Sequence, residues 1–143
     1  MIRPATRADI PAMIRMARRF HEASPAASLT FSPQAAAMAS MAAVDDQSIL
    51  AVVLDLDGVC GALVAQAMVY PLGSQIIAKE SVFWIEPEAR GRWAMAMIRA
   101  YEAWAAGIGA VAVGLSCFSD GRTQKLFERA GFRPAEINTI KGL

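Results

Sequence analysis

The hydrophobic rhythm of this chain changes once, at Pro87, and that change limits the folds open to it. Before Pro87 lie three β-rich runs, Ser48–Asp55, Val59–Tyr70 and Gln75–Ile85. Asp57–Gly58 separates the first pair and Pro71–Leu72–Gly73–Ser74 the second. An Asp–Gly pair supplies the positive φ angles of a tight hairpin turn, so the runs read as an antiparallel meander. After Pro87 the pattern becomes helix, strand, helix. Glu88 to Gly107 reads as a long helix closed by Gly107 or Gly109. Ala110–Phe118 is a continuous apolar run, as expected of a strand buried on both faces, and Asp120–Ala130 is a helix stopped by Gly131. A strand, a helix and a further strand imply a parallel pairing, so the sheet is expected to be mixed. Phe132–Ile140 reads as a last extended segment.

The opening of the chain is helical apart from a short first strand at Ile2–Arg3–Pro4. Thr6 or Asp9 offers a side-chain cap, and Pro11 suits a first helical turn. From Ile10, the residues Ile14, Ala17 and Phe20/His21 recur at helical spacing, against Arg15, Arg18 and Arg19 on the polar side. Pro25 ends that helix, because the residue before a proline is pushed out of helical geometry. Ser32–Pro33 opens a second helix, rich in Ala and Met, that runs to about Val44.

Composition narrows the functional classes. The net charge is +1, far from the basic excess of a nucleic-acid binder, and no basic stripe with interleaved aromatics occurs. Apolar residues make up 55% of the chain, but much of this is alanine, and no stretch of about 18 or more residues, the length that spans a membrane, runs apolar without a charge. The opening residues read as strand and amphipathic helix, not as a secretion signal. Two cysteines, Cys60 and Cys117, and a single histidine, His21, supply neither a disulfide framework nor metal-ligand spacing. A reducing, cytoplasmic setting is expected. With no internal repeat and no low-complexity linker, residues 1–143 read as one domain.

Four phrases, in this order, resemble the GNAT N-acetyltransferases. Ile2 to Ile10 looks like that family's opening strand and helix. Trp84-Ile85-Glu86-Pro87-Glu88-Ala89-Arg90-Gly91-Arg92 resembles the end of its central strand and its acyl-CoA loop. Trp104-Ala105 with Gly109-Ala110 is similar to the close of its long helix, and Leu126-Phe127-Glu128-Arg129-Ala130-Gly131-Phe132 to its final helix. With Glu80 before Phe83-Trp84-Ile85 and the tail Pro134-Ala135-Glu136, the chain looks most like phage- or prophage-encoded members. The resemblance implies an α/β fold with a mixed, twisted sheet of about six to seven strands and helices on both faces. It also implies transfer of an acetyl group from acetyl-CoA to a primary amine, on a small molecule or a protein, by direct attack and without a metal. Main-chain groups of Phe83, Trp84 and Ile85 would hold the oxyanion and the pantetheine arm. Arg90, Gly91, Arg92, Trp93, Ala94 and Met95 would cradle the pyrophosphate, with Asp120 and Phe127 contributing from the last helix.

Independent physics supports the central phrase, because a helix N-terminus offers unsatisfied N–H groups and partial positive charge to a diphosphate. The phrase also departs from the family pattern. That pattern runs Gln or Arg, two residues, Gly, one residue, then Gly or Ala; Trp93 and Met95 stand where the two small residues belong. Trp93 either points into the core or alters the cofactor pose, or binding has been lost. Phe127 occupies the position of a tyrosine that in many members protonates the departing thiolate, and it has no proton to give. Asp120 stands for a common asparagine and can still cap a helix.

Glu80 is the candidate base. Two-residue alternation places it on the face of Val82 and Trp84, where partial burial raises a carboxylate's pKa. Pairing with Lys79 or an arginine is the alternative. Cys117 reads as a buried structural cysteine, and Asp45–Asp46 and Asp55–Asp57 as solvated turn residues. Trp93, Met97, Tyr101 and Trp104 form an apolar stripe that packs on the sheet, yet the rest of that helix is also poor in charge. A homodimer through it or through the Met38–Met41 helix is left open. The acceptor would be set by residues His21 to Thr30 and Pro71 to Gln75, which hold no acidic cluster for a polyamine or an aminoglycoside. The rival reading is a catalytically degenerate domain of this fold with a binding or structural role.

Overall fold

The computed structural model describes residues 1–118 and 121–143. Its strands are β1 (Ile2–Pro4), β2 (Ile49–Asp55), β3 (Val59–Val69), β4 (Ile76–Ile85) and β5 (Ala112–Gly114). Its helices are α1 (Ile10–Ala23), α2 (Pro33–Asp45), α3 (Arg92–Gly107) and α4 (Gly121–Arg129). The strands form one sheet in sequential order; β1 to β4 are antiparallel neighbours and β5 joins β4 in parallel. At the β2–β3 hairpin, where Asp55 pairs with Val59, Asp57 and Gly58 both take positive φ, 58° and 129°.

Because side chains alternate along a strand, β2 faces two cores at once. Leu50, Val52 and Leu54 join Leu63, Ala65, Ala78 and Ile85 against Met97, Tyr101 and Ala105 of α3. Ala51 and Val53 join Ala62 on the opposite face, against Met13 and Met16 of α1 and Ala43 of α2. The expected α3 stripe is in place, with Met97 and Tyr101 fully buried. Helices cover both faces, as anticipated.

Three segments differ from expectation. Helix α3 begins at Arg92, not Glu88, because Pro87–Ala89 is a separate 3-10 turn that aims the chain before the helix starts. β5 has three residues, with Val111 and Ala112 exposed; it is an edge strand, not one buried on both faces, since no described strand pairs with its outer side. Cys117, expected to be buried within that run, is exposed beyond it. Residues 132–140 form no strand, and Ile137 and Ile140 are exposed, so the sheet has five strands instead of six to seven. Pro134 lacks the N–H that a ladder position there would need.

The N-terminus is tied to the sheet by one charged network. The Arg3 guanidinium donates to both oxygens of Asp9 at 2.8 and 2.9 Å, and to Asp55 Oδ2 at 2.7 and 3.1 Å. Asp9 is nearly inaccessible and also accepts from the N–H and hydroxyl of Thr6. The Arg3 hydrogen bonds, aided by those from Thr6, hold the Asp9 carboxyl well below the usual carboxylate range. Its stabilising effect is therefore present above the ordinary carboxylate pKa and is lost as pH falls. Replacing Arg3 by Ala leaves a buried carboxylate uncompensated, whereas Arg7→Ala removes only an exposed pair with Asp45. Urea titration at pH 7 is expected to show a clearly larger drop in midpoint for Arg3→Ala than for Arg7→Ala, with the gap to wild type narrowing as pH is lowered below about 4.

Candidate active site

The ladder between β3 and β4 slips by one residue. Val64 opposes Val82, but Ala65 opposes Glu80, leaving Ser81 as an extra residue on β4. Such a bulge reverses the side-chain alternation. Phe83 and Ile85 face α3, while Val82 and Trp84 face α1 and α2. On the other side of the bulge, Ala78 and Glu80 face α3. Glu80 is thus on the face opposite Val82 and Trp84, a correction to simple alternation.

β4 and β5 pair only through Ile77–Ala112, Ala78–Val113 and Lys79–Gly114. Beyond that point β4 runs on to Ile85 with its outer edge unpaired by strand. Glu80 sits at this fork, where its Oε2 accepts the Ser116 N–H at 2.9 Å, a side-chain bond in place of the next ladder bond. No cation pairs with it among the described residues, so the alternative of a pairing with Lys79 or an arginine is not seen there. Burial raises Glu80 to about 7, against a smaller opposing effect of the Ser116 N–H.

The polarity of the open edge follows from one bond. Glu86 donates its N–H to Cys60 O on β3 at 2.8 Å, so the Trp84 N–H, two residues back, points the same way. The N–H groups of Phe83 and Ile85 therefore point to the unpaired edge. The expected main-chain donors are present at Phe83 and Ile85, and Trp84 is not one of them. The Trp84 indole instead donates to Glu86 Oε2 at 3.2 Å, and Arg19 of α1 meets the same oxygen at 2.7 Å. Glu86 is buried by this arrangement.

From Ile85 the chain turns through Pro87–Ala89 to Gly91, which has φ 103° and ψ −123° and caps α3. A Cβ built on Gly91 would meet nothing within 4 Å, so the Trp93 indole does not crowd that position. Trp93 is half-buried against the α3-side core, with the Arg92 guanidinium 5.0 Å from its ring centre. Ala94 is buried and Met95 half-buried. The Arg92 and Trp93 N–H groups open α3, where helix geometry supplies no partner within the helix, and the Ala94 N–H donates to Gly91 O at 3.1 Å. Arg92 is exposed at that N-terminus. Arg90 is turned back, its Nε donating to Ile85 O at 2.9 Å and its guanidinium 5.0 Å from the Trp84 ring. Phe127 of α4 is buried between Phe83 and Phe132, at ring separations of 6.5 and 6.1 Å. Asp120 lies outside the described residues.

The structure thus brings Glu80, the Phe83 and Ile85 amides, Gly91 and Arg92 to one edge of β4. Sequence reasoning missed Ser116, Arg19 and Glu86. The last stood inside the recognised phrase, but its partner lies 67 positions earlier, with no local signal to betray it.

The fold is that of the GNAT-type acetyltransferases. Solved structures that resemble it over its whole length include a putative acetyltransferase from Agrobacterium tumefaciens, at TM-score 0.78, 16% identity and 99% coverage of that chain. An aminoglycoside 6'-N-acetyltransferase from Acinetobacter haemolyticus matches at TM-score 0.76, 16% identity and 97% coverage. A protein described as a transcriptional regulator from Bacillus halodurans matches at TM-score 0.81, 16% identity and 99% coverage. All of this chain is covered in each case. No family model and no curated protein matches the sequence. Among the described residues no helix is long and apolar enough to cross a membrane, and no cluster of potential ligands for a metal occurs.

The raised pKa of Glu80 has a thermodynamic counterpart. Between the ordinary glutamate value and about 7 the folded state holds a proton that the unfolded state has released. The contribution is complete at low pH and is lost as pH rises through about 7, by a total on the order of 3 kcal/mol. Glu80→Gln keeps an acceptor for Ser116 and removes the titration. Urea denaturation from pH 5 to 8 is expected to show a falling stability in wild type, relative to a flatter profile in the variant.

Proposed function

We propose that the protein transfers an acetyl group from acetyl-CoA to a primary amine by direct attack. The observation that carries this reading is the open edge of β4, which runs from a half-buried carboxylate at one end to a positive-φ glycine and helix N-terminus at the other. A pantetheine arm needs such an edge to lie along, and a pyrophosphate needs amides it can approach closely. Glycine at position 91 supplies that approach, and the exposed Arg92 adds positive charge beside it.

In the reaction the amine nitrogen bonds to the thioester carbonyl carbon, and charge accumulates on the carbonyl oxygen. The Phe83 N–H, on the open edge, is the donor nearest the bulge and stabilises that charge. Glu80, poised near neutral pH, takes the proton that the attacking nitrogen must shed, directly or through water. The carbon–sulfur bond then breaks and the thiolate departs. Phe127 cannot protonate it, but a thiol of pKa about 8.5 is a tolerable leaving group unaided. Acetyl transfer is therefore expected to be slow, not absent.

Calorimetry with acetyl-CoA, coupled to detection of released thiol, tests the reading. Binding is expected in wild type, at least tenfold weakened by Arg92→Glu with the fold intact. Gly91→Val adds backbone strain of about 1–3 kcal/mol and obstructs that approach, so it is expected to bind weakly and melt earlier. The rate of thiol release should rise with pH through about 7 and fall at least a hundredfold in Glu80→Gln. Absence of binding at millimolar acetyl-CoA would leave a domain of this fold with a structural or binding role.

A further inference from the structure

Two aromatic rings meet across the fork. Phe20 of α1 and Phe118, beyond the end of β5, have ring centres 5.0 Å apart and planes inclined at 50°. Both are half-buried, and among the described residues neither packs into the two apolar cores. Their chain neighbours are anchored at opposite ends of the open edge of β4. Arg19, next to Phe20, holds Glu86 just past the end of the strand at 2.7 Å. Ser116, two residues before Phe118, holds Glu80 at 2.9 Å.

The ring contact therefore closes a circuit. It runs from Glu80 through Ser116 to Phe118, across to Phe20, through Arg19 to Glu86, and back along β4. The course of α1 agrees with this. Met13 packs with residues of β2 and β3, whereas His21 shares a groove with Ser81 and Val82 of β4. The helix thus crosses the sheet outward, and Phe20 stands where it reaches the β4 edge. Phe118 meets it from the departing chain of β5. The Phe83 and Ile85 N–H groups leave β4 on the side that this circuit encloses.

We propose that the Phe20–Phe118 pair is a gate over the open edge of β4 that keeps water from the acyl thioester until an amine parts the rings. The inference rests on the acetyl-transfer reading above. Water and an amine compete for the same carbonyl carbon. With water, the oxygen bonds to that carbon, the carbon–sulfur bond breaks and Glu80 takes one water proton. Acetic acid and the CoA thiolate leave. A base that serves the amine serves water as well, so water has to be refused by access. Two apolar rings offer it no hydrogen-bond partner. A ring contact with no polar bond is also weak enough to open and close as substrates arrive.

The test is the breakdown of acetyl-CoA by the full chain without any amine, followed chromatographically as CoA released. Phe20→Ala and Phe118→Ala are each expected to raise hydrolysis by about tenfold or more, with acetyl-CoA affinity by calorimetry kept within about twofold of wild type. One missing ring opens the gate, so the double variant should exceed either single variant by no more than about twofold, and effects that multiply overturn the proposal. Phe118→Leu keeps an apolar stopper and should stay within about threefold of wild type. Adding Glu80→Gln to Phe118→Ala should abolish the gain, whereas a loosened fold that merely admits hydroxide would keep it. Phe118 lies outside every helix and strand, so its variants are readable even if Phe20→Ala is unstable. Unchanged hydrolysis in a folded Phe118→Ala that binds acetyl-CoA overturns the gate and leaves the transfer reading standing. Wild type that binds no acetyl-CoA overturns both, and calorimetry alone shows it.

Discussion

One residue displaced in β4 sets the geometry of the whole site. With Ser81 pushed out of the ladder, even-numbered residues such as Ala78 face α3 before the bulge, and odd-numbered ones such as Phe83 and Ile85 face it afterwards. Glu80 thereby leaves the company of Val82 and Trp84 and arrives under α3, where burial keeps its proton near neutral pH. A bulge also sharpens local twist, and a parallel neighbour paired with only the first half of the strand cannot follow the second. β5 departs at the same place, and the single bond from Ser116 N–H to the Glu80 carboxylate marks the fork.

The far end of the open edge is held by different means. Glu86 is fixed between Arg19 and the Trp84 indole, and Arg90 reaches back to the Ile85 carbonyl. These bonds stop the chain from sliding where it leaves the sheet. Pro87 and the 3-10 turn then rotate it, and Gly91 completes the turn in a conformation that a side chain would strain. Helix α3 is in turn clamped to the sheet by Met97 and Tyr101, and the Tyr101 hydroxyl donates to Gly114 O on β5 at 3.1 Å. The helix thus fixes both strands that flank the fork.

Elements with a strong local rhythm could be read from the sequence within a residue or two. The Asp57–Gly58 turn, the apolar runs of β2 to β4 and the stripe of α3 each carry a period that sterics impose. What escaped is non-local. Nothing in Lys79-Glu80-Ser81-Val82 announces a bulge, because the slip depends on how Val64 and Ala65 pack two faces at once. Residues 110–118 read as a buried strand because they are apolar, but apolarity cannot tell a central strand from an edge one that ends early to leave a fork. The position of Trp93 was open from sequence for a similar reason: its direction is fixed by where α3 starts, and Pro87–Ala89 moved that start four residues beyond the expected point. Gly91 was legible, since a strand-to-helix turn with a single glycine has few other places for a positive φ.

Glu80 lies under α3 at the fork, where β4 and β5 part and its carboxylate accepts the Ser116 N–H. In an unbroken sheet the hydrogen-bond ladder would close that edge, and in the proposed transfer the base could not reach an amine there. Where β4 and β5 part, that seal is missing for the length of the open edge. Burial acts in opposite senses on the two partners, raising an acid and lowering an ammonium toward each other. A base near 7 and an amine brought down from its solution value have a smaller free-energy gap between them than either has with its counterpart in water. Two modest environmental shifts can therefore do the work that a strongly perturbed catalytic pair does elsewhere, provided that the sheet is split where the two groups meet.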